Sequence, residues 1–391
     1  MKIAVVFDQM IFGGIERVGI SHIKLLKDLG HEVDAYVLSK YTEPIIDELK
    51  ELCSVKIVPF SRMSCSGTYW NATRRFKGGV FMLPILLIIV GIYRNFQKIW
   101  KKQIKKYDVA IAFSGHFNDL SFVSENFIKS KKKIAWLHGA LYQYIITSQG
   151  FEYYYKKIKN LVTLVDDAQE EVFAYHMKNK FNFNIKKIYN PIQVDAQAID
   201  SNKVTKLREE YGEYLVMVSR MLYPHKDHYT VIEAIKILLE KYGINKKVLF
   251  VGDGPEREKI ERFTADNGMQ DNVVFIGSQK DVGNYYAGAF ALVHASVAGE
   301  GLPTVILEGM SYNIPVISTD SKVGPREILG DNEFGLLSKV KSPEDMALKI
   351  YNIVSNPKLY EKLVKNGKKR LECFSSEIIK TQVKMFLEEL E

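Results

Sequence analysis

The sequence predicts an α/β protein made of two doubly wound parallel-sheet domains. Three observations support this fold class. A chain of 391 residues is too long for one ordinary core. Short apolar runs alternate with stretches of apolar i, i+3, i+4 spacing, and this alternation starts again after Asn190-Pro191. Alternating strands and helices are typical of a parallel sheet that is covered on both faces.

The first set of elements predicts a domain over residues 1–192. Its candidate strands are "KIAVVF", "EVDAYVL", "SVKIVPF", "DVAIAF", "KKIAWLH", "NLVTLV" and "KIYN". Helical spacing fills most of the gaps between them, as in Val18–Leu29. Asn190-Pro191 then breaks the pattern, which marks the end of the domain.

The second set predicts a domain over residues 193–374. Its candidate strands are "YLVMVSR", "KVLFVGDG", "NVVFIGS", "ALVHAS", "PVISTD" and "GLLSK". The last helix, about 375–391, is expected to cross back to the first domain. Sheets of this kind bind ligands at the carboxyl ends of their strands, so we expect the two domains to face a central cleft.

Composition favours a globular cytoplasmic protein, with 47% hydrophobic and 26% charged residues. Cys53, Cys65 and Cys373 have no metal-ligand spacing and are odd in number, which fits a reducing compartment. The first apolar run stops at Asp8, short of the roughly 7–15 residues of a signal-peptide core. We therefore expect a cytoplasmic location, with no nucleic-acid partner.

Residues 74–106 combine basic and apolar sequence. Six Lys or Arg lie between Arg94 and Lys106, and the 14 residues 80–93 carry no charge. A spanning helix needs about 20 apolar residues, and Pro84 interrupts this run. The favoured interpretation is a buried helix of the first domain. The alternative is an element that lies on an anionic membrane surface, at the inner face, without crossing it.

Two cations follow the first strand of the second domain. Arg220 ends "YLVMVS", and Lys226 precedes a helix that begins near His228. Arginine can bind a diphosphate through two parallel hydrogen bonds, and lysine can bind it as a point charge. This pair therefore predicts a diphosphate site, rather than ordinary surface charge.

The stretch "ASVAGEGLPTVILEGM" predicts an anion site between two carboxylates, Glu300 and Glu308. A helix beginning near Pro303 would direct outward the N–H groups of Gly301, Leu302 and Thr304. The carboxylates can flank that anion and accept hydrogen bonds from hydroxyl groups. A ligand with hydroxyls on both sides of a diphosphate is a nucleotide sugar.

The first domain offers two weaker signals. Gly13-Gly14 lies between the first strand and a helix with Glu16 in its first turn. These glycines allow close approach of a ligand, although the turn geometry alone is an equal explanation. His138 ends a strand and is followed by Gly139, so we expect it at the ligand-binding edge.

Taken together, these motifs resemble the retaining family 4 glycosyltransferases of the GT-B fold. The resemblance covers nearly the whole chain and is strongest from Tyr214 to Ser338. It rests on Glu300 and Glu308 with seven residues between them, "EGLPTVILEGM", "PVISTD…GPREIL…GLL", the Arg/Lys pair and Gly-Gly-x-Glu. The chain departs from the family pattern at Ser219, Asp227 and Asp166-Asp167.

The resemblance implies catalytic and substrate-binding roles. Arg220 and Lys226 are expected to stabilise the leaving nucleoside diphosphate, and Glu300 and Glu308 to bind the donor sugar and the ribose. His138 is expected near the reacting sugar. The backbone groups expected to contact the donor belong to Gly13, Gly14, Gly301, Leu302 and Thr304. Preorganised cations replace a divalent metal in such a site, and the chain has no Asp-x-Asp, so no metal or cofactor is expected.

The expected substrates are a UDP- or GDP-sugar and a glycan or lipid-linked acceptor, with the anionic membrane surface contacted through residues 74–106. The expected setting is bacterial surface polysaccharide synthesis. One alternative is a catalytically silent nucleotide-binding or membrane-surface adaptor of the same fold. A dehydrogenase that uses NAD is disfavoured because the Gly-x-Gly-x-x-Gly fingerprint is missing.

Overall fold

The structure, a computed structural model, forms two compact units. Residues 1–191 and 376–391 form unit 1, and residues 192–375 form unit 2. The described residues are 1–11, 13–73, 78–139, 150–166, 170, 174, 183–192, 199–297, 300–322 and 324–391. The sequence places the domain boundaries at 192/193 and near 375, and assigns the last helix to the first domain.

Unit 1 contains a seven-stranded parallel sheet in the order β3-β2-β1-β4-β5-β6-β7. Its strands are β1 (Lys2–Phe7), β2 (Glu32–Val37), β3 (Ser54–Ile57), β4 (Lys106–Ala112), β5 (Lys129–Trp136), β6 (Asn160–Thr163) and β7 (Asn184–Lys187). Its helices are α1 (Gly14–Asp28), α2 (Ile45–Leu52), α3 (Ser66–Thr73), α4 (Gly79–Lys101), α5 (Phe117–Ser124) and α6 (Gly150–Ile158). The last strand comes three residues earlier than the predicted "KIYN".

Unit 2 contains a six-stranded parallel sheet in the order β10-β9-β8-β11-β12-β13. Its strands are β8 (Leu215–Val218), β9 (Val248–Val251), β10 (Val273–Gly277), β11 (Ala291–His294), β12 (Val316–Thr319) and β13 (Leu336–Ser338). Its helices are α7 (Ser201–Tyr211), α8 (His228–Tyr242), α9 (Arg257–Asp266), α10 (Val282–Gly288), α11 (Thr304–Ser311), α12 (Gly324–Leu329), α13 (Pro343–Ser355) and α14 (Pro357–Leu371). Each predicted strand of this unit is present.

The central strands are apolar because both faces of each sheet are covered. In β1, the residues from Ile3 to Phe7 are at most 1% exposed, and in β9 the residues from Val248 to Val251 are at most 2% exposed. Full burial of a Val, Leu, Ile or Phe side chain contributes roughly 1.5–3 kcal/mol relative to exposure. These strands therefore fix the two cores, and their carboxyl ends carry the polar residues described below.

The last helix, α15 (Ser376–Glu389), belongs to unit 1. Its apolar face buries Ile379, Val383, Phe386 and Leu387. Lys186 of β7 donates a hydrogen bond to Glu389 at 2.6 Å. The chain therefore leaves unit 1 after Pro191 and returns to it at Ser376.

Helix α4 corrects the favoured interpretation of residues 78–93 as a buried helix. Most of its apolar side chains point away from unit 1, with Phe81 87% and Trp100 77% exposed, whereas Leu83 and Val90 are buried. The other exposed apolar residues of this helix are Met82, Ile85, Ile88, Ile89, Ile92, Tyr93, Phe96 and Ile99. Pro84 lies within the helix and does not end it.

The face of α4 that docks on unit 1 combines the apolar Leu83 and Val90 with the polar Arg94 and Gln97. Arg94 donates to Ser66 Oγ at 3.0 Å and lies 3.4 Å from a Glu125 carboxylate oxygen. Gln97 accepts a hydrogen bond from Ser64 Oγ at 2.7 Å. By length and composition alone, Phe81–Lys101 is apolar enough to cross a membrane, with a mean hydropathy of 1.3.

Candidate active site

The loop after β8 holds the two predicted cations of unit 2. Its backbone is fixed to the loop after the neighbouring strand β11 by two hydrogen bonds. The Asp227 N–H donates to Ala295 O at 2.9 Å, and the Val297 N–H donates to Pro224 O at 3.1 Å. Arg220 is exposed, and the described part of the chain offers its side chain no hydrogen-bond or ion-pair partner.

Two of the departures from the family pattern have structural explanations in this loop. Asp227 caps helix α8 and accepts hydrogen bonds from the Thr230 N–H at 3.2 Å and the Thr230 hydroxyl at 2.7 Å. Ser219 Oγ lies 3.1 Å from His228 Nε2. Both residues therefore stabilise the start of α8 and the end of β8. Asp166 pairs with Lys187 at 2.7 Å, and Asp167 lies outside the described residues.

Lys226 and Glu300 form an ion pair in the structure. The Lys226 ammonium donates to Glu300 Oε1 at 2.5 Å, and the two side chains are 19% and 11% exposed. An ammonium has three donors, so this contact leaves two N–H groups of Lys226 for other acceptors. The pair therefore presents a cation and a carboxylate side by side at the carboxyl end of the sheet.

His294 adds a residue that the sequence analysis did not select. It ends β11, is 1% exposed, and its Nε2 lies 3.7 Å from Glu300 Oε1. Neither ring nitrogen has a hydrogen-bond partner among the described residues. Burial, reinforced by the nearby Lys226 charge, lowers the pKa of His294 well below its usual value, so the ring is neutral. The sequence does contain a signal for His294. This residue closes the apolar run "ALVH", as His138 closes "KKIAWLH".

Helix α11 begins as predicted, with Pro303 in the N-cap position. Gly301 and Leu302 precede it, and Thr304 is its first residue. Gly324, at the start of α12, packs so tightly against this loop that a Cβ there would overlap the Gly301 carbonyl oxygen. This close approach of the two backbones therefore requires glycine at position 324.

Glu308 lies on the second turn of α11 and is oriented by a buried tyrosine. The Tyr286 hydroxyl donates to Glu308 Oε2 at 2.8 Å. The Tyr286 ring stacks on Tyr312 with a centroid separation of 5.3 Å. Burial, strengthened by the Glu308 charge, raises the pKa of Tyr286 well above its usual value, so the hydroxyl remains a donor.

The predicted glycines of unit 1 lie at the start of α1. Gly13 is its N-cap and has extended backbone angles. A Cβ at Gly13 would overlap the Glu16 carboxylate, whereas a Cβ at Gly14 would meet no described atom within 4 Å. Because the Glu16 carboxylate is the end of a flexible side chain that can shift, steric crowding within the described structure requires glycine at neither position.

His138 follows β5 and contacts Phe113. Its Nε2 lies 2.7 Å from the Phe113 carbonyl oxygen, which accepts the hydrogen bond, so Nε2 carries the proton. The two rings are packed with centroids 4.9 Å apart. Burial lowers the pKa of His138 to about 4, although the hydrogen bond to the carbonyl opposes this shift. The ring is therefore neutral near pH 7, and Nδ1 keeps a lone pair.

A second polar cluster in unit 1 was missed by the sequence analysis. Asp8 directly follows β1, and its carboxylate lies 3.1 Å from His116 Nδ1 and 2.6 Å from Asn118 Nδ2. Although burial opposes it, these hydrogen bonds hold the pKa of Asp8 below its usual value. Asp119 is fully buried, and burial raises its pKa to about 7. Asp8 and His116 follow neighbouring strands, β1 and β4, and that adjacency was the available signal.

The geometry thus joins Lys226, Glu300 and His294 in unit 2. Known proteins indicate which function this arrangement serves. Residues 200–370 match the family described as Glycosyl transferases group 1. Residues 200–370 are therefore similar to a group 1 glycosyltransferase domain. All the residues selected in unit 2 fall inside the matched range.

Similar proteins extend the likeness beyond that domain. An uncharacterized glycosyltransferase of Haemophilus influenzae is 25% identical over 354 residues, which is 89% of this chain and 88% of the relative. A Campylobacter jejuni protein is 27% identical over 203 residues, 52% of this chain and 54% of the relative. Its name is GalNAc-alpha-(1->4)-GalNAc-alpha-(1->3)-diNAcBac-PP-undecaprenol alpha-1,4-N-acetyl-D-galactosaminyltransferase. The chain spans about half the length of several other curated relatives.

A solved structure supports the fold over the whole chain. Anabaena Alr3699/HepE, in complex with UDP and glucose, aligns over 100% of both chains with a TM-score of 0.75 and 17% sequence identity. At that identity the likeness concerns the fold alone. The chain has the GT-B fold, as the sequence predicts.

Proposed function

We propose that this protein is a glycosyltransferase that moves a sugar from a UDP- or GDP-sugar to a hydroxyl group with retention of anomeric configuration. The observation that carries the proposal is the ion pair between Lys226 and Glu300 within the range that matches the group 1 family. It supplies a cation for a diphosphate and a carboxylate for sugar hydroxyls at one place. Retention follows from the resemblance to the retaining family 4 enzymes.

In the proposed reaction, the acceptor oxygen forms a bond to the anomeric carbon of the donor sugar. The bond from that carbon to the diphosphate oxygen breaks, and its electron pair stays on the diphosphate. The hydroxyl proton leaves with the diphosphate or passes to solvent. Negative charge therefore grows on the leaving group, where preorganised donors lower the barrier most.

Lys226 and Arg220 are proposed to stabilise that charge without a metal. The two remaining N–H groups of Lys226 can donate to diphosphate oxygens while the third stays on Glu300. Arg220 is exposed at the end of the neighbouring strand β8, so its guanidinium is accessible to a ligand. The same proposal assigns the backbone N–H groups of Gly301, Leu302 and Thr304 to phosphate or sugar oxygens.

The carboxylates are proposed to bind hydroxyl groups at the two ends of the donor. Glu300 would accept from the sugar, and Glu308, oriented by Tyr286, would accept from the ribose. His138, neutral and with Nδ1 unprotonated, would accept a hydrogen bond near the reacting sugar. Gly13 and Gly14 would bring the backbone of unit 1 close to the donor.

The proposed setting is surface polysaccharide synthesis in a bacterial cytoplasm, with a glycan or lipid-linked acceptor. Support comes from the Campylobacter relative, whose name specifies an undecaprenyl-diphosphate-linked acceptor.

Helix α4 supports a further part of the proposal, which is binding to the inner, anionic membrane surface through residues 74–106. Its exposed apolar face runs along the helix, and its last turn and the residues after it are rich in lysine. No Asp or Glu occurs from Leu52 to Tyr107, whereas eleven Lys or Arg do. An apolar face flanked by cations is suited to an anionic bilayer surface. Because Arg94 and Gln97 bond the helix to unit 1, we propose that it lies on the membrane and does not cross it.

Nucleotide release from a panel of UDP- and GDP-sugars, with glycan and lipid-linked acceptors, tests the enzymatic part. We expect one donor to give release that depends on an acceptor and is unchanged by EDTA. Product NMR then reports the anomeric configuration. Nucleotide binding without turnover for every donor would contradict the proposal and indicate the silent adaptor instead.

Vesicle flotation tests the membrane part. We expect the protein to float with vesicles that contain phosphatidylglycerol at low salt, and Ile88→Glu/Ile92→Glu to abolish this. Leu348→Glu is the matched control, because Leu348 is an exposed apolar residue of a helix in unit 2. Equal flotation of the α4 variant and the wild type would refute this part.

A further inference from the structure

A polar groove of about 450 Å³ opens in unit 1 at the carboxyl ends of β1 and β2. Its charged lining residues are Asp8, Lys40, Arg62 and Lys101, and Asn118 also lines it. Its volume lies within the roughly 300–1,000 Å³ of typical small-molecule sites. None of the residues assigned to the donor, in either unit, lines this groove.

The groove has an excess of positive charge. Within the described residues, neither Lys40 nor Arg62 forms an ion pair, and both are exposed. Lys101 donates to the Pro59 carbonyl at 2.7 Å, which orients its ammonium without neutralising it. Burial, together with the charge of Lys40, lowers the pKa of Lys101, so these two ammonium groups lie close enough to repel one another.

Asp8 is the one acidic residue among the described residues that line the groove, and its carboxylate already has hydrogen-bond partners. The Asp8 carboxylate accepts from Asn118 Nδ2 at 2.6 Å and lies 3.1 Å from His116 Nδ1. An anion placed beside Lys40 and Lys101 would relieve the repulsion between these two ammonium groups. Arg62 offers two parallel N–H groups to a phosphate, and the lysines offer point charges.

The groove is also continuous with the apolar helix. Lys101 is the last residue of α4, and the adjacent Trp100 and Ile104 are 77% and 93% exposed. A ligand whose phosphate lay between Lys40, Arg62 and Lys101 could therefore extend an apolar chain along the exposed face of α4. The part beyond the phosphate would reach Asp8 and Asn118, which can bond sugar hydroxyls.

We propose that this groove binds the diphosphate of a lipid-linked sugar acceptor through Lys40, Arg62 and Lys101. The assignment of the ligand as an acceptor rests on the proposed transferase function, whereas the binding of a prenyl diphosphate does not.

Calorimetric titration of the full-length protein tests the site with three probes: farnesyl diphosphate, farnesol and inorganic diphosphate. The titrations use the Arg220→Ala/Lys226→Ala variant, in which the proposed donor diphosphate site is disabled. Binding of a probe to that site then does not contribute to the signal. We expect farnesyl diphosphate to bind more tightly than either other probe. Adding Lys40→Ala and Arg62→Ala should weaken this binding about 100-fold, because each removes a charge-assisted contact. Lys24→Ala is the matched control, since Lys24 is an exposed lysine of unit 1 outside the groove.

Unchanged affinity in the Lys40→Ala/Arg62→Ala protein would overturn the proposal, as would an equal loss with Lys24→Ala. Equal affinity for inorganic and farnesyl diphosphate would overturn the lipid-linked part and assign the groove to free diphosphate. Thermal melts confirm that each variant is folded. This experiment measures binding and not turnover. If no nucleotide sugar were turned over, the proposed transferase function would be refuted, but the measured binding of farnesyl diphosphate to the groove would remain valid.

Discussion

Replacing Lys226 by alanine separates a catalytic role from a structural one. The ammonium has one donor on Glu300 and two that can reach a diphosphate. Loss of one charge-assisted hydrogen bond in the transition state costs about 1.5–3 kcal/mol, or roughly 10- to 150-fold in kcat/KM. The expected result for Lys226→Ala is a loss in that range or beyond, measured by nucleotide release with a saturating acceptor.

The same change has a smaller expected effect on stability. It leaves the Glu300 carboxylate, which is 11% exposed, without its cation. Breaking a fully buried pair costs about 3–5 kcal/mol, and the remaining exposure of this pair reduces that to about 1–2 kcal/mol. Adding Glu300→Gln removes the unpaired charge, so the double variant should regain part of the melting temperature but none of the rate.

The control for this experiment is Lys259→Ala. Lys259 pairs with Glu256 at 2.8 Å in the same unit but is 66% exposed, so its removal should change neither rate nor melting temperature measurably. Wild-type kcat/KM in folded Lys226→Ala would exclude Lys226 from the mechanism. If the loss of kcat/KM in Lys226→Ala equalled the fraction of unfolded protein, the loss would be structural, and the separate catalytic role would be refuted.

Three further predictions follow from the contacts of single side chains. Tyr286→Phe removes the hydrogen bond to Glu308 and should raise the donor KM several-fold with little change in kcat, whereas Tyr360→Phe, which removes a tyrosine hydrogen bond elsewhere in the unit, should not. Asp227→Ala removes the cap of α8 and should cost about 1 kcal/mol in urea unfolding, with Asn restoring most of it. The free energy of unfolding should fall as the pH drops from about 6.5 towards 4, because some histidines are protonated in the unfolded chain but not in the folded one. Each such histidine lowers it by up to about 1.4 kcal/mol per pH unit. The histidines whose pKa burial lowers are His22, to about 3, His138 and His228, to about 4, and His294. Melting curves that do not change between pH 5 and 7 would contradict the last prediction.

The strands could be predicted because burial on both faces leaves a continuous apolar run in the sequence. The runs "KIAVVF" and "KVLFVGDG" became β1 and β9 for this reason. Strand β7 was placed too late, because "NIKK" has no such run and is recognised only by its pairing with β6. Pairing between distant segments is not visible in local sequence.

The orientation of α4 could not be predicted by assuming that an apolar face is a buried face. The uncharged run favoured a buried helix, whereas the docked face carries Arg94 and Gln97 beside Leu83 and Val90. The partners of Arg94 and Gln97, which are Ser66, Glu125 and Ser64, come from other parts of the chain. A periodic pattern shows which residues share one face of a helix, but it does not show whether that face is buried or exposed.

Within the candidate site, the sequence selected Arg220 and Lys226 as cations between a strand and a helix, and Glu300 and Glu308 as carboxylates around an anion-binding turn. Lys226 and Glu300 were selected from separate motifs, and the structure pairs them. His294 and Asp8 were missed although each directly follows or ends an apolar strand. Their importance depends on neighbours that only the sheet order brings together.

The return of the chain to unit 1 at α15 constrains how the protein can be made. Unit 2 is one continuous segment, residues 192–375, and all of it is synthesised before α15. Val383, Phe386 and Leu387 line the same small cavity as His22 and Trp136, which are translated early. The first unit to begin synthesis is therefore the last to be completed, and during translation its core stays open on one side. A ribosome-stalled chain that ends before Ser376 should expose this apolar surface to chaperones.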